Sequence, residues 1–222
     1  GDACSQRDAV CIAGGDASLR KSSEGREDDP RGAWAELAAL GLGEGDSVIG
    51  IAAGGTTPYV LGALEFCKTQ LGEGSRPFTA MLCCTPIDAP VHADQVVVLK
   101  TGAEVLTGST RMKAGTATKL TLNIISTTLM VRMGKVFENL MVDVKATNAK
   151  LRDRAARIIA TLTRLEREAA FALLDGANGS VKTAVVMHRL GLEREAAESR
   201  LKGVGGRLDQ ALGLVADAGG AA

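Results

Sequence analysis

The chain has 222 residues, enough for one α/β domain or for a smaller domain with a helical extension. Its 26 Lys and Arg residues balance 26 Asp and Glu residues, and aromatic residues make up only 3%, which argues against a nucleic-acid-binding protein. Because no apolar run could span a bilayer and no signal segment opens the sequence, we expect a soluble cytoplasmic protein without membrane partners.

Short apolar runs alternate with helical patterns in the first half of the chain. The predicted strands cover residues 9–13, 48–53, 78–84 and 95–99, and the predicted helices between them cover residues 31–40 and 58–71. This alternation predicts a parallel sheet with helices packed on its faces. Residues 116–133 are apolar nearly all the way round, which predicts a helix buried between layers or at a dimer interface.

The second half of the chain is helical and charged. An apolar stripe runs along the helix that starts near residue 148, and it consists of Leu151, Ala155, Ile158, Ile159, Leu162 and Leu165. Three shorter helices follow near residues 166–174, 180–190 and 193–201. We therefore predict two domains, an α/β domain over residues 1–147 and a small helical domain over residues 148–222.

The strand predicted at residues 48–53 runs directly into Gly54, Gly55, Thr56 and Thr57. Glycines allow a tight turn whose N–H groups approach a ligand closely, and Pro58 suits the first position of the following helix. The free N–H groups and the positive end of the helix dipole then favour a phosphate or a carboxylate. An ordinary strand-to-helix turn is the alternative, and the turn by itself does not decide between them.

A second segment, from Glu104 to residue 119, places two cations at the start of a helix, where the dipole disfavours them. An anion held by Ser109, Thr110 and Lys113 would explain this placement. A salt bridge from the cations to Glu104, or to another acidic residue, is the alternative, and the segment by itself slightly favours it because paired surface charges are common.

An acidic loop follows the first predicted strand. Its carboxylates are Glu24, Glu27, Asp28 and Asp29. Because loops at the carboxyl ends of parallel strands border the ligand crevice, these groups could face a sugar, although most acidic runs are simply solvated. The five cysteines have no metal-ligand spacing, so we expect reduced thiols and no metal site.

Five segments carry a resemblance that covers almost the whole chain. They read IAGGD at residues 12–16, SEGREDD at 23–29, GIAAGGTTPYV at 50–60, GAEVLTGSTRMKAGTATKLTLNIIST at 102–127 and GKVFENLMVDVKATNAKL at 134–151. Together they resemble the N-acetylmuramic acid 6-phosphate etherase family, whose members contain a sugar isomerase (SIS) domain. The resemblance implies a three-layer, flavodoxin-like parallel sheet followed by a small helical domain, a UBA-like bundle. A more distant relative, glucokinase regulatory protein, binds sugar phosphates without turning them over.

The resemblance implies a cofactor-free carbon–oxygen lyase of peptidoglycan recycling that acts as a homodimer. It would convert N-acetylmuramate 6-phosphate to N-acetylglucosamine 6-phosphate and D-lactate by elimination and hydration. Of the two carboxyl groups that the family uses, one aligns with Glu27. The turn at residues 54–57 aligns with the phosphate loop of SIS domains. A non-catalytic sugar-phosphate-binding regulatory protein is the alternative.

The chain departs from the family pattern in two places. Where members have Ser-Gly-Arg-Thr, this chain has Gly54, Gly55, Thr56 and Thr57, so a hydroxyl and a cation are absent. The first strand of the family, with its Gly-rich loop and the other catalytic glutamate, has no counterpart in the sequence. Either the strands at residues 9–13 and 48–53 pair directly, or a partner chain supplies the strand, or the chain is a fragment. We favour the fragment and expect little or no etherase turnover from the isolated chain.

Overall fold

A computed structural model describes residues 9–21 and 24–214 of the chain. The contacts divide it into two compact units, one up to Leu122 and one from Asn123 onwards. This division falls inside the long helix α3 (Lys113–Arg132), whereas the sequence places the domain boundary after residue 147, and that boundary stays a prediction.

The first unit is built on a parallel three-stranded sheet. Its strands β1 (Ser47–Ile51), β2 (Phe78–Cys83) and β3 (Gln95–Val98) lie in the order β1-β2-β3, and Gly50 pairs with Met81, which pairs with Val96. Helix α2 (Pro58–Thr69) connects β1 to β2, as the sequence predicts. The α/β class of the fold is therefore confirmed.

Helix α2 packs on one face of this sheet, and helix α1 (Trp34–Leu40) packs on α2. Gly50 allows the close approach of α2, because a Cβ at this position would lie 2.7 Å from Val60 Cγ1. Helix α1 begins later than the predicted residue 31, and Trp34 joins it to α2. Its indole Nε1 donates to the carbonyl of Gly62 at 3.0 Å, and its ring lies 5.7 Å from that of Phe66.

The strand predicted at residues 9–13 is wrong. The structure gives irregular chain there, followed by a turn in which the Gly15 N–H donates to the carbonyl of Ile12 at 2.7 Å. A strand requires a neighbour for its hydrogen-bond ladder, and within the described residues β1 pairs with β2 alone. Cys11 and Ala13 pack instead, half-buried, against the cluster beneath α1 and α2. Direct pairing between residues 9–13 and β1 is therefore not what the structure shows.

Helix α3 forms where the sequence predicts it, but its apolar side chains are not buried between layers. Only Ala114 is buried among its residues, and Ile124 keeps 65% of its surface exposed. On the sheet face opposite α2, Ile49 and Ile51 also remain about two-fifths exposed. Across the described ranges, no helix combines the length and apolar character needed to cross a membrane.

The second unit is a helical bundle with its own core. A short hairpin of β4 (Val136–Phe137) and β5 (Leu140–Met141), which the sequence analysis does not predict, precedes the helices. The helices are α4 (Ala149–Thr163), α5 (Arg167–Gly176), α6 (Val181–Leu190), α7 (Arg194–Gly203) and the short α8 (Leu208–Ala211). Burial of most of the predicted α4 stripe, including Ile159 at 0% exposure, confirms that this face forms the core.

Candidate functional site

The turn after β1 is shaped by Gly55. This residue has a φ of 76°, in the left-handed region that favours glycine, and its N–H donates to the carbonyl of Ala52 at 3.0 Å. An added Cβ would lie 2.8 Å from two side-chain carbons of Ile87 and 3.4 Å from Cys83 Cβ. Gly54 has no such neighbours. The tight turn that the sequence predicts is thus present, and Gly55 is the glycine that it requires.

Helix α2 begins directly after this turn, with Thr57 at its N-cap position and Pro58 in the first turn. The Thr57 side chain makes no capping hydrogen bond, and the Thr57 carbonyl accepts from the N–H groups of Val60 and Leu61 at 3.1 Å. The N–H of Tyr59 donates to the backbone carbonyl of Glu27 at 2.9 Å. One free N–H of the helix start is therefore already satisfied by the acidic loop.

The acidic loop lies directly on α2. A Cβ at Gly62 would stand 1.6 Å from the carbonyl oxygen of Pro30, so only a glycine allows this approach. Together with the contact from Glu27 to Tyr59, it brings the acidic loop to the beginning of α2. The Glu27 side chain is exposed and makes no hydrogen bond or ion pair with another described residue. The structure thus brings the backbone of Glu27 to the first turn of α2, which follows the turn at residues 54–57.

An open cleft of about 640 Å³ lies beside the turn. Its lining consists of Gly55, Thr56, Leu61, Pro86, Ile87, Asp88 and Pro90. Asp88 and most of the apolar wall belong to the link between β2 and β3, which has no sequence motif that could have indicated them, and Leu61 lies in α2. The cleft combines the backbone of the turn, one hydroxyl and one carboxylate with an apolar surface.

The start of α3 already holds a carboxylate. Glu104 Oε2 accepts from the backbone N–H of Lys113, and Oε1 accepts from that of Ala114, both at 3.0 Å. These hydrogen bonds, that of Ala114 foremost, hold the pKa of the Glu104 carboxyl below its ordinary value. The Lys113 ammonium donates to the carbonyl of Ala103 at 2.7 Å. Within the described residues, neither Arg111 nor Lys113 forms the predicted salt bridge with Glu104; the Glu104 carboxylate instead accepts from the backbone N–H groups at this helix start. Binding of an anion by Ser109, Thr110 and Lys113 stays a prediction.

Helix α3 starts at the same edge of the sheet as the glycine turn. Cys84, the first residue after β2, donates its N–H to the carbonyl of Ala53 at 2.8 Å. The sulfur of Cys84 lies 3.8 Å from the carbonyl oxygen of Ala114 and 3.8 Å from Thr118 Oγ1. Cys84 therefore contacts the glycine turn with its backbone and the first turns of α3 with its side chain.

The structure thus gathers the three predicted segments around the carboxyl ends of β1 and β2. Ser109 and Thr110 directly precede α3, Glu27 contacts α2 by its backbone, and the roles of all these residues in binding or catalysis stay predictions. Within the described residues, no group of three or more His, Cys, Asp or Glu side chains could hold a metal ion. What the edge offers chemically is backbone N–H groups and hydroxyls for an anion, with carboxylates nearby.

Comparison with known proteins gives a consistent result. A family model described as the glucokinase regulatory protein N-terminal SIS domain matches residues 2–68. The chain is 50% identical over 202 residues to the N-acetylmuramic acid 6-phosphate etherase of Gloeobacter violaceus, covering 90% of this chain and 64% of that protein. It is 47% identical over 210 residues to that of Deinococcus radiodurans, covering 94% and 67%. The chain therefore spans about two thirds of the length of these relatives.

Proposed function

Since the chain belongs to the N-acetylmuramic acid 6-phosphate etherase family, we propose that the whole protein cleaves the D-lactyl ether of N-acetylmuramate 6-phosphate. The products are N-acetylglucosamine 6-phosphate and D-lactate. The observation that carries this proposal is an identity of about one half along nine tenths of the chain. The reaction is a step of peptidoglycan recycling in the cytoplasm and needs no cofactor.

The phosphate of the substrate binds at the turn of residues 54–57. Gly55 turns the backbone tightly there, and Thr56 and Thr57 add hydroxyl donors at the positive end of the α2 dipole. No guanidinium stands in this turn, so the donors of the turn itself are backbone N–H and hydroxyl groups. Ser109 and Thr110 contribute further hydroxyl donors from the segment before α3, and Lys113, the first residue of α3, contributes its ammonium group.

Glu27 is one of the two carboxyl groups of the reaction. In the elimination, a carboxylate takes the proton from the sugar carbon next to the carbonyl carbon. A carboxylic acid protonates the ether oxygen as the bond between this oxygen and the sugar breaks, and D-lactate leaves. Water then adds to the carbon–carbon double bond that the elimination has formed in the sugar, which gives N-acetylglucosamine 6-phosphate. Two carboxyl groups in different environments suit this task, because one must be ionised while the other keeps its proton.

The protein acts as a homodimer in which α3 contributes to the interface. Support comes from the apolar residues that α3 leaves exposed, such as Leu120 at 51% and Ile124 at 65%. Side chains of this type are usually covered in the functional assembly. Sedimentation at micromolar concentration tests this part of the proposal, and a monomer at all concentrations would contradict it.

The etherase activity is tested by D-lactate release from N-acetylmuramate 6-phosphate. The chain is assayed as it stands and with the remaining third of the Gloeobacter relative attached. In the active form, Glu27→Gln should lower turnover by about 10²-fold or more while N-acetylglucosamine 6-phosphate still binds. Glu73→Gln is the matched control, because Glu73 is an exposed carboxylate in the link that leads to the amino end of β2. Full turnover by the Glu27 variant would refute the assigned role.

A second candidate function is sugar-phosphate binding without turnover. It is supported by the match of residues 2–68 to the SIS domain model of the glucokinase regulatory protein. This function predicts tight binding of sugar phosphates, no D-lactate from either form of the protein, and no effect of Glu27→Gln. The same pair of measurements therefore separates the two functions.

A further inference from the structure

We propose, as an extension of the proposed function, that Glu104 is a positioning residue of the sugar-phosphate site. Its carboxylate fixes the loop of residues 105–112, which presents Ser109 and Thr110, and it keeps the substrate phosphate away from the first N–H groups of α3. Glu104 itself does not contact the substrate. Four observations support this role.

The first observation is that both ends of the loop are tied together. Glu104 accepts from the N–H groups of Lys113 and Ala114, and the Lys113 ammonium donates back to the carbonyl of Ala103 at 2.7 Å. These three hydrogen bonds join residues 103–104 to residues 113–114. A loop closed in this way samples far fewer conformations than a free segment of the same length.

The second observation is that the loop is also folded between its ends. The N–H of Ser109 donates to the carbonyl of Leu106 at 2.9 Å, and the carbonyl of Thr110 accepts from the N–H of Gly115 at 2.8 Å. Ser109 and Thr110 thus have a defined place directly before α3. If the Glu104 carboxylate were removed, the two hydrogen bonds that join it to residues 113–114 at the end of the loop would be lost.

The third observation is the contact between α3 and the glycine turn. Cys84 touches Ala114 and Thr118 through its sulfur and donates its N–H to the carbonyl of Ala53. Ala53 is the residue directly before Gly54. The position of the first turn of α3, which Glu104 stabilises, is therefore linked through one residue to the turn at which we propose that phosphate binds.

The fourth observation is electrostatic. Two N–H groups that a helix leaves free at its amino end are the natural site of an anion, and Glu104 occupies both of them. A phosphate that approaches α3 meets a carboxylate there, so it is directed to the hydroxyls of the loop and to the turn at residues 54–57. Without Glu104, these N–H groups become open to any anion in solution.

The test measures binding of N-acetylglucosamine 6-phosphate by calorimetry to the chain and to its Glu104→Gln variant. Glutamine has nearly the same shape, but its single carbonyl oxygen can accept only one of the two N–H groups and carries no charge. We expect the dissociation constant to rise about tenfold, as for the loss of one charge-assisted hydrogen bond. Inorganic phosphate should compete more strongly with the ligand in the variant. Glu73→Gln, the carboxylate control at the amino end of β2, should change the constant less than about twofold.

A second measurement tests the same role in the unaltered chain as well as in the variant. In an amide NMR spectrum of the unaltered chain, addition of the ligand should shift the signals of Ser109 and Thr110 as well as that of Gly55. In the Glu104→Gln variant only Gly55 should still shift, which a general loss of structure would not produce. Unchanged affinity in the variant, or no shift of Ser109 and Thr110 in the unaltered chain, overturns the role of Glu104 alone. Failure of the unaltered chain to bind the ligand overturns the proposed function together with it.

Discussion

Replacing Gly55 by alanine perturbs the turn after β1 in two ways that the structure allows us to separate. The first is conformational, because Gly55 has a φ of 76°, where a residue with a Cβ costs about 1–2 kcal/mol. The second is steric, because the new methyl group would lie 2.8 Å from Ile87 Cδ1 and Cγ2. Crowding of this kind typically costs about 1–3 kcal/mol, and the flexible Ile87 side chain relieves part of it. We expect the free energy of unfolding to fall by about 2–4 kcal/mol in total.

The measurement is urea unfolding followed by tryptophan fluorescence. Trp34 is the only tryptophan of the sequence, and it packs on Phe66 in the same unit as the turn, so its signal reports on that unit. With an ordinary urea dependence of about 2 kcal/mol per molar, the midpoint should fall by roughly 1–2 M. Binding of N-acetylglucosamine 6-phosphate should weaken as well, because the backbone N–H groups of the turn move.

Gly54→Ala is the matched control for this experiment. Gly54 lies next to Gly55, but its φ is not in the left-handed region, and an added Cβ would meet only Thr56 Oγ1 at 3.9 Å. This change should alter the free energy of unfolding by no more than about 0.5 kcal/mol. If Gly55→Ala proved as stable as Gly54→Ala, the reasoning from the conformation of Gly55 and its contact with Ile87 would be refuted.

Two further changes test other parts of the first unit. Gly62→Ala would place a methyl group 1.6 Å from the Pro30 carbonyl oxygen, so it should cost about 3 kcal/mol or more by the same fluorescence assay, and unchanged stability would contradict this packing. Asp94 accepts from the Lys68 ammonium at 2.6 Å and from the N–H of Thr79 at 2.8 Å, which lower its pKa from 3.8 to about 2. Because the pKa is lower in the folded state, the stabilisation is complete above about pH 4 and is lost as the pH falls towards 2. This stabilisation should be about 1 kcal/mol, because the Asp94 side chain is 41% exposed and solvent screens its ion pair. The free energy of unfolding is measured at pH 3 and at pH 6. The part of the difference between these two values that comes from Asp94 should be absent in Asp94→Asn.

Local chemistry was sufficient to predict most elements and the glycine turn. The apolar runs at β1, β2 and β3, the Pro58 start of α2 and the stripe on α4 each depend on neighbours in the chain, through backbone conformation and side-chain periodicity. The same holds for the family resemblance, which the comparisons confirm. For these features the sequence contains the whole physical cause.

Other features depend on distant partners, and only the folded chain decides them. Residues 9–13 have the composition of a strand, but a strand exists only where a neighbour completes its ladder, and none lies beside them in the described chain. Likewise, the apolar pattern of α3 does not say what covers it, and its residues remain exposed. The sequence could not show that the Glu104 carboxylate accepts from the backbone N–H groups at the start of α3 and forms no salt bridge with Lys113, because that depends on how the two segments meet in space. The acidic loop reaches α2 because the backbone at Pro30 packs closely against Gly62. These residues are far apart in the sequence, so no local pattern predicts their contact.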